Sequence, residues 1–76
     1  MPTVAQEGGL SFVIRTKEHP PPHVHVFRGS EELCRIRLAD AAFMEDLPPG
    51  DRQRIREAYT QCLEIVWAKW AEFHGG

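Results

Sequence analysis

Three consecutive prolines, Pro20 to Pro22, constrain the fold of this 76-residue chain more than any other feature. Proline has a fixed φ angle and no amide hydrogen, so the run excludes both a helix and a central sheet strand. The chain must therefore cross this segment as a polyproline II stretch or as a turn that contains a cis bond. The segments before and after the prolines must therefore form separate secondary-structure elements.

Alternating apolar and polar residues predict strands on both sides of the proline run. The predicted strands span residues 10–17, 23–27 and 33–38. Phe43, Met44 and Leu47 predict either a short fourth strand or a turn that caps the core. Residues 1–9 end in Gly-Gly and are interpreted as a loose N-terminal arm or the start of an edge strand.

The turn at Gly29-Ser30 sets the register of the last two predicted strands. A two-residue turn alone would place His25 opposite Cys34 and mix polar with apolar side chains on both faces. An odd number of loop residues, or a bulge, would place Val26 opposite Cys34 and keep the faces separate. The sequence therefore predicts a three- or five-residue loop, or a bulge.

Residues 51–73 contain no Gly or Pro and precede a Gly-Gly pair, which predicts one long helix. The apolar residues of this helix form one stripe at helical spacing: Ile55, Tyr59, Cys62, Leu63, Val66, Trp70 and Phe73. Residues 39–50 are interpreted as a linker. The prediction is a single α+β domain over residues 1–76, in which a small antiparallel meander of three to four strands (10–38) packs on the C-terminal helix.

The formal net charge of −2 argues against a general electrostatic attraction to nucleic acid. Cations and acids are nearly balanced up to Arg37, whereas acids outnumber cations after it. Any basic surface is therefore predicted to belong to the first half of the chain.

Cys34 and Cys62 are too few and too far apart for a disulfide framework or a metal knuckle, so both are expected in the core. The sequence has neither a signal-peptide pattern nor an apolar stretch of membrane-spanning length. A cytoplasmic protein with no membrane partner is the expectation.

Strand alternation gathers basic and aromatic side chains on the sheet face that points away from the helix. This predicted binding surface comprises Val13, Arg15, His23, His25, Phe27, Arg35 and Arg37. Cations combined with aromatic rings are typical of surfaces that bind RNA or DNA, and the same face could engage a cognate protein. The alternative is an outer face that is simply solvated by Arg and His.

Two further hypotheses use the same histidines. In a metal-independent ribonuclease, His23 and His25 would be the catalytic base and acid, and Arg35 or Arg37 would stabilise the developing phosphate charge. In a metal-binding module, zinc would be held by His19, His23 and His25; otherwise no cofactor is expected. Since His19 would lie roughly 12 Å from His23 across extended prolines, it joins only if the run bends back.

Trp67 lies at the margin of the apolar helix stripe. It therefore either wraps onto the sheet or marks an interface, because aromatic residues are enriched at protein contacts. A homodimer and a contact with a partner chain are both consistent with this position.

The sequence resembles the small bacterial proteins grouped as domain of unknown function 4160. The resemblance rests on "MPTV" at the start, "EHPPPHVHV" at residues 18–26, Gly29, Leu47-Pro48 and a Trp near the end of the closing helix. It implies a small domain without an established activity, of a kind associated with toxin–antitoxin-like two-component or regulatory modules. Members often carry aromatic residues where this chain has "SFVIRT", so a base-stacking surface would be poorer here. The family motif maps onto Glu18, His19, Pro21, Pro22, His23 and His25, which implies a site at that corner of the sheet without indicating its chemistry.

Overall fold

A five-stranded antiparallel sheet, with strands in chain order, forms one layer of the computed structural model. The structure describes residues 3–15 and 21–75, with side chains up to residue 73. The strands are β1 (Thr3–Glu7), β2 (Leu10–Val13), β3 (His23–Arg28), β4 (Glu31–Arg37) and β5 (Ala42–Phe43). The predicted α+β meander is confirmed, but the sheet has five strands rather than three or four. Pro20 and His19 lie outside the described residues, so the predicted course of the proline run is described only from Pro21 onward.

Within the described residues, Thr3–Glu7 form an edge strand, which is the second of the two predicted alternatives. Strand β1 pairs with β2 so that Glu7 lies opposite Leu10, which leaves a two-residue turn at Gly8 and Gly9. These two glycines have φ angles of 59° and 79°. Positive φ at both central positions matches the right-handed twist of a tight hairpin, and glycine adopts it without steric cost.

A bulge sets the register of the hairpin between β3 and β4, as the alternation of side chains requires. The turn has two residues, since Arg28 pairs with Glu31. Val26 nevertheless lies opposite Cys34, because the register shifts between Val26 and Phe27 and leaves Leu33 as the additional residue. The predicted register is confirmed, and the bulge is the device that produces it.

The C-terminal helical region has three parts. They are α1 (Pro49–Gln61), α2 (Leu63–Trp70) and a π-helical turn (Ala71–Gly75). The single helix predicted over residues 51–73 therefore begins two residues earlier and is interrupted at Cys62. Proline at the first helical position explains the earlier start, because its fixed φ suits a helix and its missing amide hydrogen is not needed there.

Side-chain hydrogen bonds to the helix backbone accompany the interruption at Cys62. The Thr60 Oγ1 donates to the Arg56 carbonyl over 2.9 Å, and the Cys62 Sγ donates to the Ala58 carbonyl over 3.4 Å. Such bonds compete with the helical ladder and bend helices. Helical bonding resumes at once, since the Val66 amide donates to the Cys62 carbonyl over 3.0 Å.

The core lies between the helices and one sheet face. Its buried members are Leu10, Phe12, Ile14, Val24, Val26, Cys34, Ile36, Leu38, Ile55, Ala58, Tyr59, Cys62 and Val66. Leu63 was predicted to belong to this face but is 37% exposed. The reason is that α2 packs against the edge strand β1, so the sheet covers only a narrow line of its residues. Among the described residues, no helix is long and apolar enough to cross a membrane.

Candidate functional site

The candidate site is the sheet face that points away from the core, called the outer face below. Strand register places Val13, His25 and Arg35 in one row across β2, β3 and β4. His23 and Arg37 form the neighbouring row. The structure therefore groups these predicted site residues on one face.

Both imidazoles of the outer face are buried rather than exposed. His23 retains 5% and His25 4% of its accessible surface. The two ring centroids lie 5.1 Å apart in an edge-to-face arrangement, and the His23 ring lies 6.3 Å from the ring of Trp70 at the end of α2. Val13 in the adjacent strand is also buried. The centre of the predicted exposed surface is thus an enclosed aromatic cluster.

The chain entering β3 fixes the orientation of His23. Its Nδ1 lies 2.8 Å from the Pro21 carbonyl oxygen. A carbonyl can only accept, so Nδ1 carries the proton and Nε2 of the neutral ring carries the lone pair. The Pro22 carbonyl in turn accepts from the Leu38 amide over 2.9 Å and extends the ladder beyond β3. The prolines thus end in a segment that anchors the first imidazole.

His25 faces a carboxylate that the bulge brings to the outer face. Its Nδ1 lies 3.4 Å from Glu32 Oε1, which is long for a strong hydrogen bond but within range of an ion pair when the ring is protonated. Glu32 also lies 3.6 Å from the Arg15 guanidinium. In a regular strand, Glu32 and Cys34 would point to the same face, which is the core. The extra residue in β4, Leu33, reverses this alternation and places the Glu32 carboxylate on the outer face.

Arg35 is held by Glu45, which follows the short strand β5. Its Nε donates to Glu45 Oε1 over 2.7 Å, and its backbone amide donates to Glu45 Oε2 over 3.2 Å. The Met44 amide donates to the Arg35 carbonyl over 2.9 Å. The carboxylate therefore replaces a strand partner at the point where β5 ends, and it neutralises the guanidinium as well.

Arg37 makes a bidentate pair with Asp40 in the loop that follows β4. The distances are 3.0 Å from Nε to Oδ1 and 2.8 Å from Nη2 to Oδ2. The hydrogen bond from Arg37 lowers the pKa of Asp40 below its usual value, and the Ala42 amide adds to the effect. The same pair raises the pKa of Arg37.

Each arginine of the outer face thus has a carboxylate neighbour. The pairs are Arg15 with Glu32, Arg35 with Glu45, and Arg37 with Asp40. Phe27, the remaining predicted member, is half-buried on the same face, opposite Glu32. The three carboxylates are the site residues that sequence reasoning missed, and they leave the described part of this face without a net positive charge.

The predicted zinc set is only partly described. His19 lies outside the described residues, and no cluster of three or more His, Cys, Asp or Glu side chains suited to a metal occurs in the described part of the chain. His23 and His25 approach each other as the hypothesis requires, with the Nδ1 of His23 bonded to a protein oxygen.

The two thiols lie in the core and make no contribution to a reactive centre. Cys34 and Cys62 are buried and free. Burial is the main cause that raises the pKa of Cys34 to about 12, and it also raises the pKa of Cys62. Neither group forms appreciable thiolate at neutral pH, as expected for structural cysteines.

The fold and the outer face define a small α+β domain with a buried imidazole pair and charge-balanced arginines. The chain belongs to the family described as domain of unknown function DUF4160, whose sequence model matches residues 9–71. This confirms the resemblance based on the proline–histidine motif. Searches of curated proteins and of solved structures gave no match.

Proposed function

We propose that the protein is a binding module that recognises a protein partner through the outer face of its sheet. The observation that carries the proposal is the pairing of Arg15, Arg35 and Arg37 with carboxylates. The resemblance to toxin–antitoxin-like or regulatory two-component modules supplies the partner class, which is a protein encoded beside it.

The charge balance argues against a nucleic acid as the main ligand. Binding to a polyanion draws most of its free energy from cations that release counterions from phosphates. A guanidinium already bonded to a carboxylate must lose that bond before it can engage a phosphate. The paired arginines therefore offer directional contacts to polar protein groups without attracting RNA or DNA strongly.

The burial of the histidines argues against a ribonuclease. A general base must come within hydrogen-bond distance of the proton that it removes. His23 and His25 retain only 5% and 4% of their accessible surface, so a scissile phosphate cannot reach them without a rearrangement. Their better-supported role is structural, since the two rings pack against each other and the His23 ring packs against Trp70 at the end of α2.

Half-exposed arginines and an aromatic ring on one face favour a protein ligand. The side chains of Arg15, Arg35 and Arg37 are 43%, 38% and 44% exposed, and Phe27 on the same face is half-buried. Arginine and aromatic residues are enriched in protein interfaces, where they account for much of the binding free energy.

Co-expression with the protein encoded by the adjacent gene tests the proposal. We expect a stable complex whose dissociation constant rises by roughly tenfold in the R15A/R37A variant. The matched control is Arg28→Ala, which removes another paired arginine at the β3–β4 turn. An unchanged affinity in R15A/R37A, or salt-sensitive RNA binding in place of a protein complex, would overturn the proposal.

A zinc-binding module is the second candidate, and one observation favours it. The bond from His23 Nδ1 to the Pro21 carbonyl directs the lone pair of the ring to Nε2, an arrangement common in metal-ligating histidines. His19 and His25 would complete the set. Calorimetric titration with zinc checks this: stoichiometric uptake abolished by His25→Ala supports it, and no uptake by the wild type removes it.

A further inference from the structure

We propose that a cavity between the two hairpin turns and the start of α1 binds a free amino acid with an aliphatic side chain. The cavity, called the turn cavity below, lies between the Gly8-Gly9 turn, Arg28 at the end of β3, and Asp51 and Arg54 of α1. Its volume is about 260 Å³. It lies on the helix side of the sheet, so this inference does not depend on the function proposed for the outer face.

The inner wall of the turn cavity is apolar. It includes Leu10 and Ile55, which are 3% and 1% exposed and belong to the core. Leu33, the additional residue of the bulge in β4, is half-buried against the same core and completes this wall. An aliphatic group that packs on this wall is removed from water, and that transfer favours binding.

Charges of both signs line the mouth of the turn cavity. Arg28, Asp51 and Arg54 are exposed there. Asp51 and Arg54 are three residues apart in α1, so they lie on the same side of the helix. Elsewhere in the described chain, ion pairs form at this spacing: Arg28–Glu31, Arg37–Asp40 and Lys69–Glu72. Within the described residues, however, neither Asp51 nor Arg54 has an ion-pair partner, so both charges are available to a ligand.

The charges at the mouth match the two charges of an amino acid. The α-carboxylate would accept hydrogen bonds from the Arg54 guanidinium. Arg28 can add further donors, because its contact with Glu31 is long, at 3.6 Å, for a charge-assisted bond. The α-ammonium would donate to Asp51. In contrast to the arginines of the outer face, Arg54 loses no ion pair within the described chain when a carboxylate binds.

The size of the turn cavity favours an amino acid over a larger ligand. Sites for drug-sized molecules usually enclose roughly 300 to 1,000 Å³. At about 260 Å³, the turn cavity accommodates a group the size of a single residue. A ligand this small that carries both charges beside an aliphatic group is a free amino acid such as leucine. An internal segment of another protein has no neighbouring ammonium and carboxylate of this kind.

An NMR titration with four small ligands tests the site. L-Leucine should cause saturable amide shifts at Gly8, Gly9 and Ile55, with a dissociation constant of about 1 mM or lower. Leucinamide lacks the carboxylate, N-acetyl-leucine lacks the ammonium, and glycine lacks the aliphatic side chain. Each of these three ligands should bind roughly tenfold more weakly than leucine, because each loses one of the three contacts.

Two substitutions assign the charged contacts. Asp51→Asn should bind leucine roughly tenfold more weakly but leave the affinity for N-acetyl-leucine unchanged, because that ligand has no ammonium to donate. Arg54→Gln should weaken the binding of leucine and not that of leucinamide. The matched control is Arg52→Gln, since Arg52 donates to the Leu47 carbonyl and does not line the turn cavity. This control should bind leucine like the wild type.

Both test positions are exposed, so the variants should fold, and the dispersion of their amide shifts verifies this. Leucine that causes no saturable shift up to about 20 mM would overturn the proposal. Equal affinity for leucine and N-acetyl-leucine would also overturn it, and would assign the turn cavity to an anionic group such as the carboxyl terminus of another chain.

Discussion

Single residues determine the chemistry of the outer face. His23 is held in one tautomer by a proline carbonyl, and each arginine of the face is placed beside a carboxylate. Glu45 accepts both the side chain and the backbone amide of Arg35 and so fixes the loop after β5 to β4.

Glu45→Gln should lower the free energy of unfolding by about 1 kcal/mol, measured by urea denaturation. The charge-assisted bond to Arg35 is lost, and partial exposure of both side chains keeps the effect small. Glu72→Gln removes the exposed pair with Lys69 and should cost less than about 0.5 kcal/mol. Equal losses in the two variants would show that Glu45 has no special role.

At the residue level, sequence alternation identified the face of the strand side chains between Val24 and Arg37, except near the bulge, but not their partners. The grouping of His23, His25 and Arg35 followed from the two-residue period of a strand. Glu32 could not be assigned in this way, because the bulge reverses the face on which it lies. Glu45 reaches Arg35 from a loop, where no periodicity exists to predict a contact.

Among the elements, the β3–β4 hairpin depends most on a single backbone position. Gly29 has a φ angle of 62° in the two-residue turn, and a Cβ built there would meet nothing within 4 Å. If a side chain at Gly29 lowers the stability of the protein, the cause is therefore the positive φ angle of the backbone and not crowding by neighbouring atoms.

Gly29→Ala should destabilise the protein by roughly 1 kcal/mol in thermal or urea unfolding. Gly50 provides the control, because it lies in the first turn of α1 and also has open space around its Cβ position. Gly50→Ala should be neutral or stabilising by up to about 1 kcal/mol, since alanine favours the helix. The account of the turn fails if both substitutions shift the stability in the same direction.

Periodicity also explains which elements could be predicted. The strands and the helical region were found because their apolar residues repeat at distinct intervals. The interruption at Cys62 could not be found in this way. It involves side-chain hydrogen bonds to the helix backbone, which leave the spacing of the apolar residues unchanged. Strand β1 was ambiguous because only three of its residues, Thr3, Val4 and Ala5, have even modest strand or apolar character.

For the molecule as a whole, buried acidic groups link packing to alkaline stability, and the phenol of Tyr59 is the one that can be followed directly. Tyr59 is 2% exposed, packs 6.2 Å from the Phe12 ring, and has no hydrogen-bond partner for its hydroxyl in the described part of the chain. Burial is the main cause that raises its pKa from 10.0 to about 12.

The contribution of Tyr59 to stability should therefore be lost as the pH rises from about 10 to about 12. The two buried thiols, whose pKa values are also raised from 9.0, add a loss of the same sign that begins near pH 9. Below pH 10 the phenol is protonated in both states; above it, the unfolded chain releases the proton first and becomes favoured. The free energy of unfolding should fall by roughly 2 kcal/mol through Tyr59, and denaturant unfolding at successive pH values measures this loss. Tyr59→Phe should reduce this dependence, and an identical pH profile in that variant would contradict the assignment. Tyr59 is the only tyrosine, so its ultraviolet titration reports the pKa directly.

The outer face depends on features of several elements: the bulge in β4, the short strand β5 and the end of the proline run. Its described part has balanced charges and lies over buried imidazoles. The central claim is that this surface engages a protein and not a nucleic acid. Its most direct test is an NMR titration of backbone amides and imidazoles with a short mixed-sequence RNA in metal-free buffer, at low and then moderate salt.

We expect no saturable change at His23, His25, Arg35 or Arg37 in either salt condition, because the arginines are paired and the imidazoles are buried. Saturable shifts confined to these residues, strong at low salt and weakened by added salt, would contradict it and assign the outer face to nucleic acid.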